Sequence, residues 1–205
     1  MRVFITFEGI DGSGKTTQIK LISDFIKNLK YGIILVREPG STPVSEKIRE
    51  ILLDKENAMA PETEAYLYAA SRAELVKKVI KPALDKGNIV ICDRFLDSSL
   101  VYQGIARGLG LQAVYQLNTM ALGDLKPDVT ILLDLDPMVA KARLKKLDRL
   151  ESEQLDFYRK VREGYLYLAD REPERIKVVD AAQGVQQVFE DVLSIIKNKM
   201  GRRLL

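Results

Sequence analysis

Five short apolar runs, each followed by a longer segment with apolar residues at every third or fourth position, set the pattern of this chain. The first run contains Val3, Phe4, Ile5 and Phe7, and β-branched and aromatic residues of this kind favour a buried strand. Strands that alternate with helices build a parallel sheet with helices on both faces. We therefore predict a three-layer, doubly wound α/β fold with five parallel strands, at residues 3–7, 33–36, 89–92, 129–133 and 176–179.

Helix signals occupy the segments between these strands. Thr42 or Ser45 can cap a short helix, and Pro61 followed by Glu62 and Glu64 is a typical helix start. Because no internal repeat or long linker divides the chain, we expect one domain over residues 1–205. The predicted helices cover residues 17–30, 42–53, 61–84, 98–104, 111–122, 137–144, 156–169 and 185–199.

The segment after the first strand fits the phosphate-loop pattern G-x-x-x-x-G-K-[ST]. Its glycines let the backbone turn tightly and aim successive N–H groups at a polyphosphate, which then lies at a helix N-terminus. Lys15 can reach the β- and γ-phosphates, and the hydroxyl of Thr16 can bind Mg²⁺. The predicted nucleotide-binding residues are Gly9, Ile10, Asp11, Gly12, Ser13, Gly14, Lys15, Thr16 and Thr17.

Composition narrows the chemistry that this site can perform. The chain carries 32 basic and 29 acidic residues, and its net charge of +3 suits anionic small ligands and predicts neither a nucleic-acid nor a membrane partner. The chain has no histidine and a single cysteine, Cys92, so a disulfide framework and a zinc cluster are excluded. Without histidine, catalysis must rest on carboxylates, cations and metal. No signal-type segment precedes the first strand, so we expect a cytoplasmic protein.

Charged residues follow the second and third predicted strands. Ligands of open α/β sheets bind at the carboxyl ends of the strands, so Arg37 and Arg94 are candidate phosphate contacts and Asp93 is a candidate Mg²⁺ ligand. Tyr68 and Arg72 lie four residues apart on a predicted helix, where a ring and a guanidinium can hold a base. A structural aromatic residue beside a packed arginine explains the same pattern.

A phosphate loop alone leaves kinases, GTPase switches and ATPases as alternatives. The guanine-reading motif N-K-x-D of GTPases is absent, since the Asn-Lys pair at Asn198 is followed by Met-Gly. Residues 143–149 contain four cations, which form either a solvated face or a lid over a migrating phosphoryl group. Transfer between two phosphorylated molecules needs many cations, so their number favours a small-molecule kinase.

These motifs together resemble those of the thymidylate kinase family over nearly the whole chain. The resemblance implies the P-loop NTPase fold, the cofactors ATP and Mg²⁺, and transfer of the γ-phosphoryl group of ATP to dTMP to give dTDP. Two alternatives stay open, a related kinase that accepts dUMP or thymidine and a nucleotide-binding switch that catalyses no transfer. The segments that carry the resemblance are FEGIDGSGKTT at 7–17, REPGST at 37–42, the helix from Tyr68 to Arg72, DRF at 93–95, SS at 98–99, YQG at 102–104, DRLE at 148–151 and VDA at 179–181.

The resemblance assigns the phosphate and sugar contacts of the acceptor nucleotide. It implies that Asp11 accepts a hydrogen bond from the 3′-hydroxyl or helps to hold Mg²⁺. Arg37 and Arg94 grip the 5′-phosphate, and Tyr102 lies under the sugar, where its bulk excludes a ribose 2′-hydroxyl.

The resemblance also assigns the base contacts and one further contact to ATP. It implies that thymine stacks on Tyr68, that Arg72 donates to its O4 atom and that Ser99 lies near the base edge. Gln103 lines the same pocket, and Ala182, after the fifth strand, joins the phosphate loop in binding ATP.

Members of the family supply a catalytic arginine either from the phosphate loop or from a lid. Positions 10–13 of this loop carry no cation, so the resemblance implies that a short lid at residues 143–151 supplies it. Arg143 and Arg149 are the candidates, with Lys145 and Lys146 in support. A homodimer packed through the helices after residues 61 and 97 is also implied.

Overall fold

A computed structural model describes residues 2–144, 149–151 and 153–201, without the side chain of Met200. One five-stranded parallel sheet organises the chain, in the order β2-β3-β1-β4-β5, which confirms the predicted fold class. The strands are β1 (Val3–Glu8), β2 (Ile33–Arg37), β3 (Ile89–Asp93), β4 (Val129–Asp134) and β5 (Ile176–Asp180).

Nine α-helices in the described residues connect and cover the strands. None of them is long and apolar enough to pass through a lipid bilayer. The helices are α1 (Lys15–Asn28), α2 (Pro43–Leu53), α3 (Pro61–Leu75), α4 (Lys81–Asp85), α5 (Leu96–Ser99), α6 (Leu111–Leu122), α7 (Pro137–Arg143), α8 (Leu155–Arg171) and α9 (Val185–Met200).

Alternate residues of each strand face opposite sides of the sheet and form two hydrophobic clusters. Ile5 and Ile91 belong to the cluster that α1 and α9 cover, whereas Phe4 and Val90 pack against α3 and α4. Thr42 caps α2, since its hydroxyl accepts a hydrogen bond from the amide of Ser45 at 3.1 Å, and this selects one of the two predicted caps.

The predicted continuous helix over residues 61–84 is wrong in its middle. A π-helical turn, Val76–Ile80, separates α3 from α4, and the amide of Lys81 donates to the carbonyl of Val76, five residues earlier. Pro82 has no amide hydrogen, and its ring would clash with a carbonyl in a regular α-helix, so the wider turn accommodates it. A second π-helical segment, Leu100–Ala106, follows α5 directly.

Parallel strands bring their carboxyl ends to one edge of the sheet. Asp93 at the end of β3 lies between Phe7 of β1 and Arg37 of β2, while Asp134 and Asp180 are paired at the ends of β4 and β5. The charged residues that follow the strands therefore collect at this edge, where the phosphate loop also begins.

Candidate active site

The phosphate loop connects β1 to α1 and depends on its glycines. Gly12 has a φ angle of +83°, and a Cβ atom there would lie 2.3 Å from the carbonyl oxygen of Ala140 on α7. Gly14, with φ +94°, is the N-cap residue of α1. A side chain at position 12 would therefore be blocked by the backbone of α7, so the loop needs glycine there.

Lys15 is folded over this loop and is only 7% exposed. Its Nζ atom donates to the carbonyl oxygens of Gly9 at 2.9 Å and Ile10 at 3.0 Å, and lies 4.0 Å from Oδ1 of Asp11. Burial and then the charge of Arg94 lower the pKa of Lys15, against the opposing effect of Asp11. The ammonium group of Lys15 is thus positioned at the loop by two carbonyl oxygens and a carboxylate.

A cavity of about 690 Å³ opens over the loop. Its walls include most residues predicted to bind the nucleoside triphosphate, as well as Arg37, Asp93, Arg94 and Arg143. The predicted contact Ala182 lies between two lining residues, Ala181 and Gln183, and its amide donates to Asp180 at 2.9 Å. The loop residues on the wall are Asp11, Gly12, Ser13, Gly14, Lys15, Thr16 and Thr17.

A smaller pocket of about 70 Å³ adjoins the large cavity. Both are lined by Asp11, Glu38, Arg49 and Arg94, so the two spaces meet at these side chains. The smaller pocket also contains four more of the residues predicted to hold an acceptor nucleotide, namely Tyr68, Ser99, Tyr102 and Gln103. The structure thus brings together two binding spaces with a shared charged border.

Arg94 forms the centre of this border. Its Nη2 atom donates to Oδ1 of Asp11 at 2.6 Å, and its guanidinium lies 5.2 Å from the ring centroid of Tyr102. Burial alone lowers the pKa of Arg94, but the carboxylate of Asp11 raises it well above its usual value. The φ angle of +69° is uncommon for a residue with a side chain, and it aims Arg94 into the site at the cost of local strain.

Glu8, which the sequence reasoning missed, holds Arg94 in place. Oε1 of Glu8 accepts from the amide of Phe95 at 2.7 Å, and Oε2 accepts from the hydroxyls of Ser98 at 2.6 Å and Tyr165 at 2.9 Å. The same two hydroxyls accept from Nη1 of Arg94, at 3.3 and 3.4 Å. A carboxylate at the end of a strand with no other charged residue was the available signal, because burial of such a group requires partners.

Burial, reinforced by the charge of Asp97, raises the pKa of Glu8 to about 7, against the effects of Ser98 and Arg94. Since this value exceeds that of the unfolded chain, the folded protein retains the proton of Glu8 as the pH rises, and its stability falls through this window. We therefore expect the free energy of unfolding of the wild type, relative to that of Glu8→Gln, to fall by roughly 2 kcal/mol from about pH 5 to about pH 8. Urea unfolding of both proteins at the two pH values measures this change, and a constant difference would contradict it.

Arg72 is buried, with 1% of its surface exposed. Its guanidinium forms an ion pair with Glu38, with Nε to Oε2 at 2.9 Å, and Nη2 donates to the hydroxyl of Ser99 at 3.1 Å. Burial raises the pKa of Glu38 despite the opposing charge of Arg72. Arg72 is therefore not among the residues that line the smaller pocket, and it meets the pocket wall through Glu38 and Ser99, which do line it. Its spacing from Tyr68 on the helix gave no sign of this buried ion pair.

Arg37 and Arg49 also line the large cavity. Both Nη2 contacts of Arg37 go to the carboxylate of Glu46, at 2.9 and 2.7 Å, and the arginine is half-exposed at the large cavity. Arg49 donates to the carbonyl of Pro39 at 3.0 Å and lines both binding spaces. Sequence reasoning missed Arg49, because it lies within a helix and follows no strand end.

Two residues of the large cavity are suited to a hydrated divalent cation. Oδ1 of Asp93 is buried and has no hydrogen-bond partner among the residues that the structure describes, and Thr16 lines the same cavity. The described part of the chain has no cluster of three or more acidic or cysteine residues that could enclose a metal. One carboxylate and one hydroxyl beside a phosphate site fit Mg²⁺, which commonly binds to few protein ligands and to substrate phosphates.

The two candidate lid arginines lie in different places. Nη1 of Arg143 donates to the carbonyl of Gly12 at 3.4 Å, so this arginine lies over the phosphate loop. Arg149 instead donates to the carbonyl of Leu52 at 2.7 Å and to Oε2 of Glu64 at 2.6 Å. The predicted supporting cations Lys145 and Lys146, and Asp148 of the DRLE motif, are outside the described residues.

Comparisons with known proteins identify the family of this chain. The family model described as Thymidylate kinase matches residues 7–192. The thymidylate kinase of Symbiobacterium thermophilum is 50% identical over 206 residues, which cover 99% of this chain and 96% of that protein. The corresponding protein of Caldanaerobacter subterraneus is 53% identical, with coverages of 95% and 94%. The crystal structure of thymidylate kinase from Ehrlichia chaffeensis superposes with a TM-score of 0.81 at 35% identity and covers 96% of this chain and 98% of its own. The P-loop fold, the two adjoining cavities and these matches over nearly the whole length lead to one conclusion: the chain belongs to the thymidylate kinase family.

Proposed function

We propose a residue-level assignment for the reaction of this kinase, which phosphorylates dTMP with ATP and releases dTDP and ADP. The observation that carries the assignment is the shared border of the two binding spaces, formed by Asp11, Glu38, Arg49 and Arg94. A phosphoryl group that passes from one nucleotide to the other must cross this border. The large cavity over the phosphate loop is assigned to ATP and the smaller pocket to dTMP.

The acceptor nucleotide is assigned to the side chains that line the smaller pocket. Its base stacks on Tyr68 beside Ser99, its sugar lies on Tyr102, and Asp11 accepts from the 3′-hydroxyl. Arg72 supports the base edge through Ser99, to which it donates at 3.1 Å. Because Tyr102 is buried and supported by Phe157 and Tyr165, with ring centroids 5.9 and 6.4 Å away, its ring offers the sugar a rigid surface.

Phosphoryl transfer asks the protein mainly to align the reactants and offset their charge. Arg94 holds the 5′-phosphate of dTMP with Arg37, while Lys15 contacts the β- and γ-phosphates of ATP. Arg143 is assigned to the developing charge on the migrating phosphoryl group, which its position over Gly12 supports. No side chain has to act as a general base, because the attacking phosphate oxygen is already anionic.

Asp93 and Thr16 are assigned to Mg²⁺. The ion neutralises phosphate charge when it is bound, and the carboxylate of Asp93 positions it directly or through water. The buried Oδ1 atom of Asp93, which has no hydrogen-bond partner among the residues described, supports this assignment.

The acceptor assignment is tested by a panel of dTMP, dUMP, thymidine, CMP and AMP with ATP. We expect ADP release to depend on dTMP most strongly, with the highest kcat/KM for this acceptor. Faster turnover with thymidine would favour a nucleoside kinase, and tight nucleotide binding without any acceptor-dependent ADP release would favour a switch protein. Either result would overturn the assignment.

We also propose that the protein is a cytoplasmic homodimer. The expected helix after residue 97 is buried at positions 100–104 and cannot supply an outer surface, so we propose association through α3 and α6 instead. These helices pack together and carry Tyr66, which is 64% exposed, and Met120, which is 97% exposed. Large apolar side chains exposed in this way commonly mark contact surfaces. The buried thiol of Cys92 is compatible with a reducing compartment.

A charge on this surface should separate the subunits. We expect Met120→Glu to shift the protein from dimer to monomer in sedimentation velocity, because a buried unpaired carboxylate opposes association. Met138→Glu is the matched control, since Met138 is also exposed, at 64%, but lies on α7. A Met120→Glu protein that sediments as the wild type does would place the interface elsewhere.

A further inference from the structure

Glu64 on α3 links the smaller pocket to the segment that follows the lid. The side chain is 1% exposed, yet its carboxylate is surrounded by three donors, Gln103, Arg107 and Arg149. Burial alone raises the pKa of Glu64, but the hydrogen bond of Gln103 and the charges of Arg107 and Arg149 hold it below its ordinary value. Glu64 is therefore an ionised carboxylate, which only accepts hydrogen bonds.

This charge state determines which end of the Gln103 amide faces Glu64. The Nε2 atom of Gln103 donates to Oε1 of Glu64 at 2.8 Å. The reverse orientation would set the amide oxygen against a carboxylate oxygen, which is repulsive. Gln103 lines the smaller pocket, and its Oε1 atom, which takes no part in the contact with Glu64, is the acceptor that the amide can offer to a bound base. A base that presents an N–H donor, such as thymine at N3, suits this acceptor, whereas the N3 atom of cytosine is itself an acceptor.

The other oxygen of Glu64 anchors the segment after the lid. Nη2 of Arg149 donates to Oε2 at 2.6 Å, and Nε of Arg149 donates to the carbonyl of Leu52 at 2.7 Å. Arg107 bridges Glu64, at 3.4 Å, and Glu153, at 2.6 Å. Glu64 is thus a carboxylate shared by two largely buried arginines, and its loss would remove negative charge from beside both of them.

We propose that Glu64 is a positioning residue that sets the hydrogen-bonding polarity of Gln103 for a base with an N–H donor and couples this recognition to Arg149. The proposal rests on the assignment of dTMP to the smaller pocket. It gives Arg149 a role in acceptor binding through Glu64, whereas Arg143 serves the migrating phosphoryl group. Changes at Arg149 should therefore raise the KM for dTMP more than they lower kcat.

The test is the variant Glu64→Gln, whose amide can accept from Arg149 while it donates to an inverted Gln103. Inversion of Gln103 would present an N–H group to the pocket and reverse its preference. We expect the ratio of the Kd for dCMP to the Kd for dTMP, measured by calorimetry, to fall by about tenfold or more, the effect expected for a mispaired buried hydrogen bond. The Kd for ATP should stay within about threefold of the wild-type value, because the change is remote from the phosphate loop.

Glu62→Gln is the matched control, since Glu62 is an exposed glutamate on the same helix. A second comparison removes the amide: in a Gln103→Ala background, Glu64→Gln should leave the ratio of the Kd for dCMP to the Kd for dTMP unchanged, which a purely structural role would not produce.

A folded Glu64→Gln protein with the wild-type ratio would overturn the proposal. If this variant does not fold, Arg149→Lys decides the question, because a drop in kcat at constant KM for dTMP would also overturn it. Failure of the dTMP assignment itself is distinguishable, since wild-type protein would then not bind dTMP.

Discussion

Replacement of Lys15 with alanine should lower kcat for dTDP formation by about a thousandfold or more. This is the effect expected when an enzyme loses a cation that stabilises the negative charge of the transition state. Lys15 is buried against the phosphate loop, and its Nζ atom lies between the carbonyls of Gly9 and Ile10 and the carboxylate of Asp11. The loop amides remain in the variant, so ATP should still bind. The loss should therefore appear mainly in kcat, because a preorganised cation contributes most where charge is redistributed.

The control for this variant is Lys20→Ala, which removes an exposed lysine one and a half turns further along α1. The Lys15→Ala and Lys20→Ala proteins have the same net charge, so a general electrostatic effect on nucleotide binding would appear in both variants. Coupled detection of ADP at saturating ATP and dTMP measures kcat. If the kcat of Lys15→Ala is close to that of Lys20→Ala, Lys15 does not stabilise the transition state.

Replacement of Arg94 with alanine should lower kcat/KM for dTMP by about a thousandfold, because the variant loses the charge that joins the two binding spaces and the closer of the two cations beside Asp11. Arg94→Lys should recover little of this activity. A lysine cannot donate at once to Asp11, the hydroxyls of Ser98 and Tyr165 and a phosphate in the planar geometry of a guanidinium.

The backbone of Arg94 allows folding and catalysis to be separated. Its φ angle of +69° is strained for most side chains but not for glycine, so Arg94→Gly should be more stable than Arg94→Ala while both lack activity. Arg159→Ala, which removes a half-exposed arginine of α8, is the control for the loss of one positive charge. Substantial activity in Arg94→Gly would show that the backbone shape, and not the guanidinium, serves the reaction.

The fold and the phosphate loop were predictable because their signals are local. Five apolar runs gave five strands, and the turn chemistry of Gly12 and Gly14 requires no knowledge of distant residues. The π-helical turn at Val76–Ile80 escaped prediction because Pro82 permits either an end or a distortion of a helix, and packing selects between them.

The buried charges were not predictable, because their partners come from distant parts of the chain. Glu64 was interpreted as a helix-start signal, but it accepts from Gln103, Arg107 and Arg149, which lie 39 to 85 residues away. Glu8 precedes the phosphate loop in the sequence, but its contacts reach Ser98 and Tyr165. A one-dimensional pattern identifies a charged residue but not the three-dimensional pairing that lets it be buried.

The contact between Gly12 and Ala140 has an evolutionary consequence. A loop-borne arginine at position 12 would place its Cβ atom 2.3 Å from the carbonyl oxygen of Ala140 and would push α7 away, together with Arg143 at its end. Ile10 and Ser13 are buried, and Asp11 is already paired with Arg94, so no neighbouring loop position offers an easier entry. A descendant of this protein could therefore not move its catalytic arginine from the lid to the phosphate loop in small steps. An arginine added to the loop would displace α7 and, with it, Arg143.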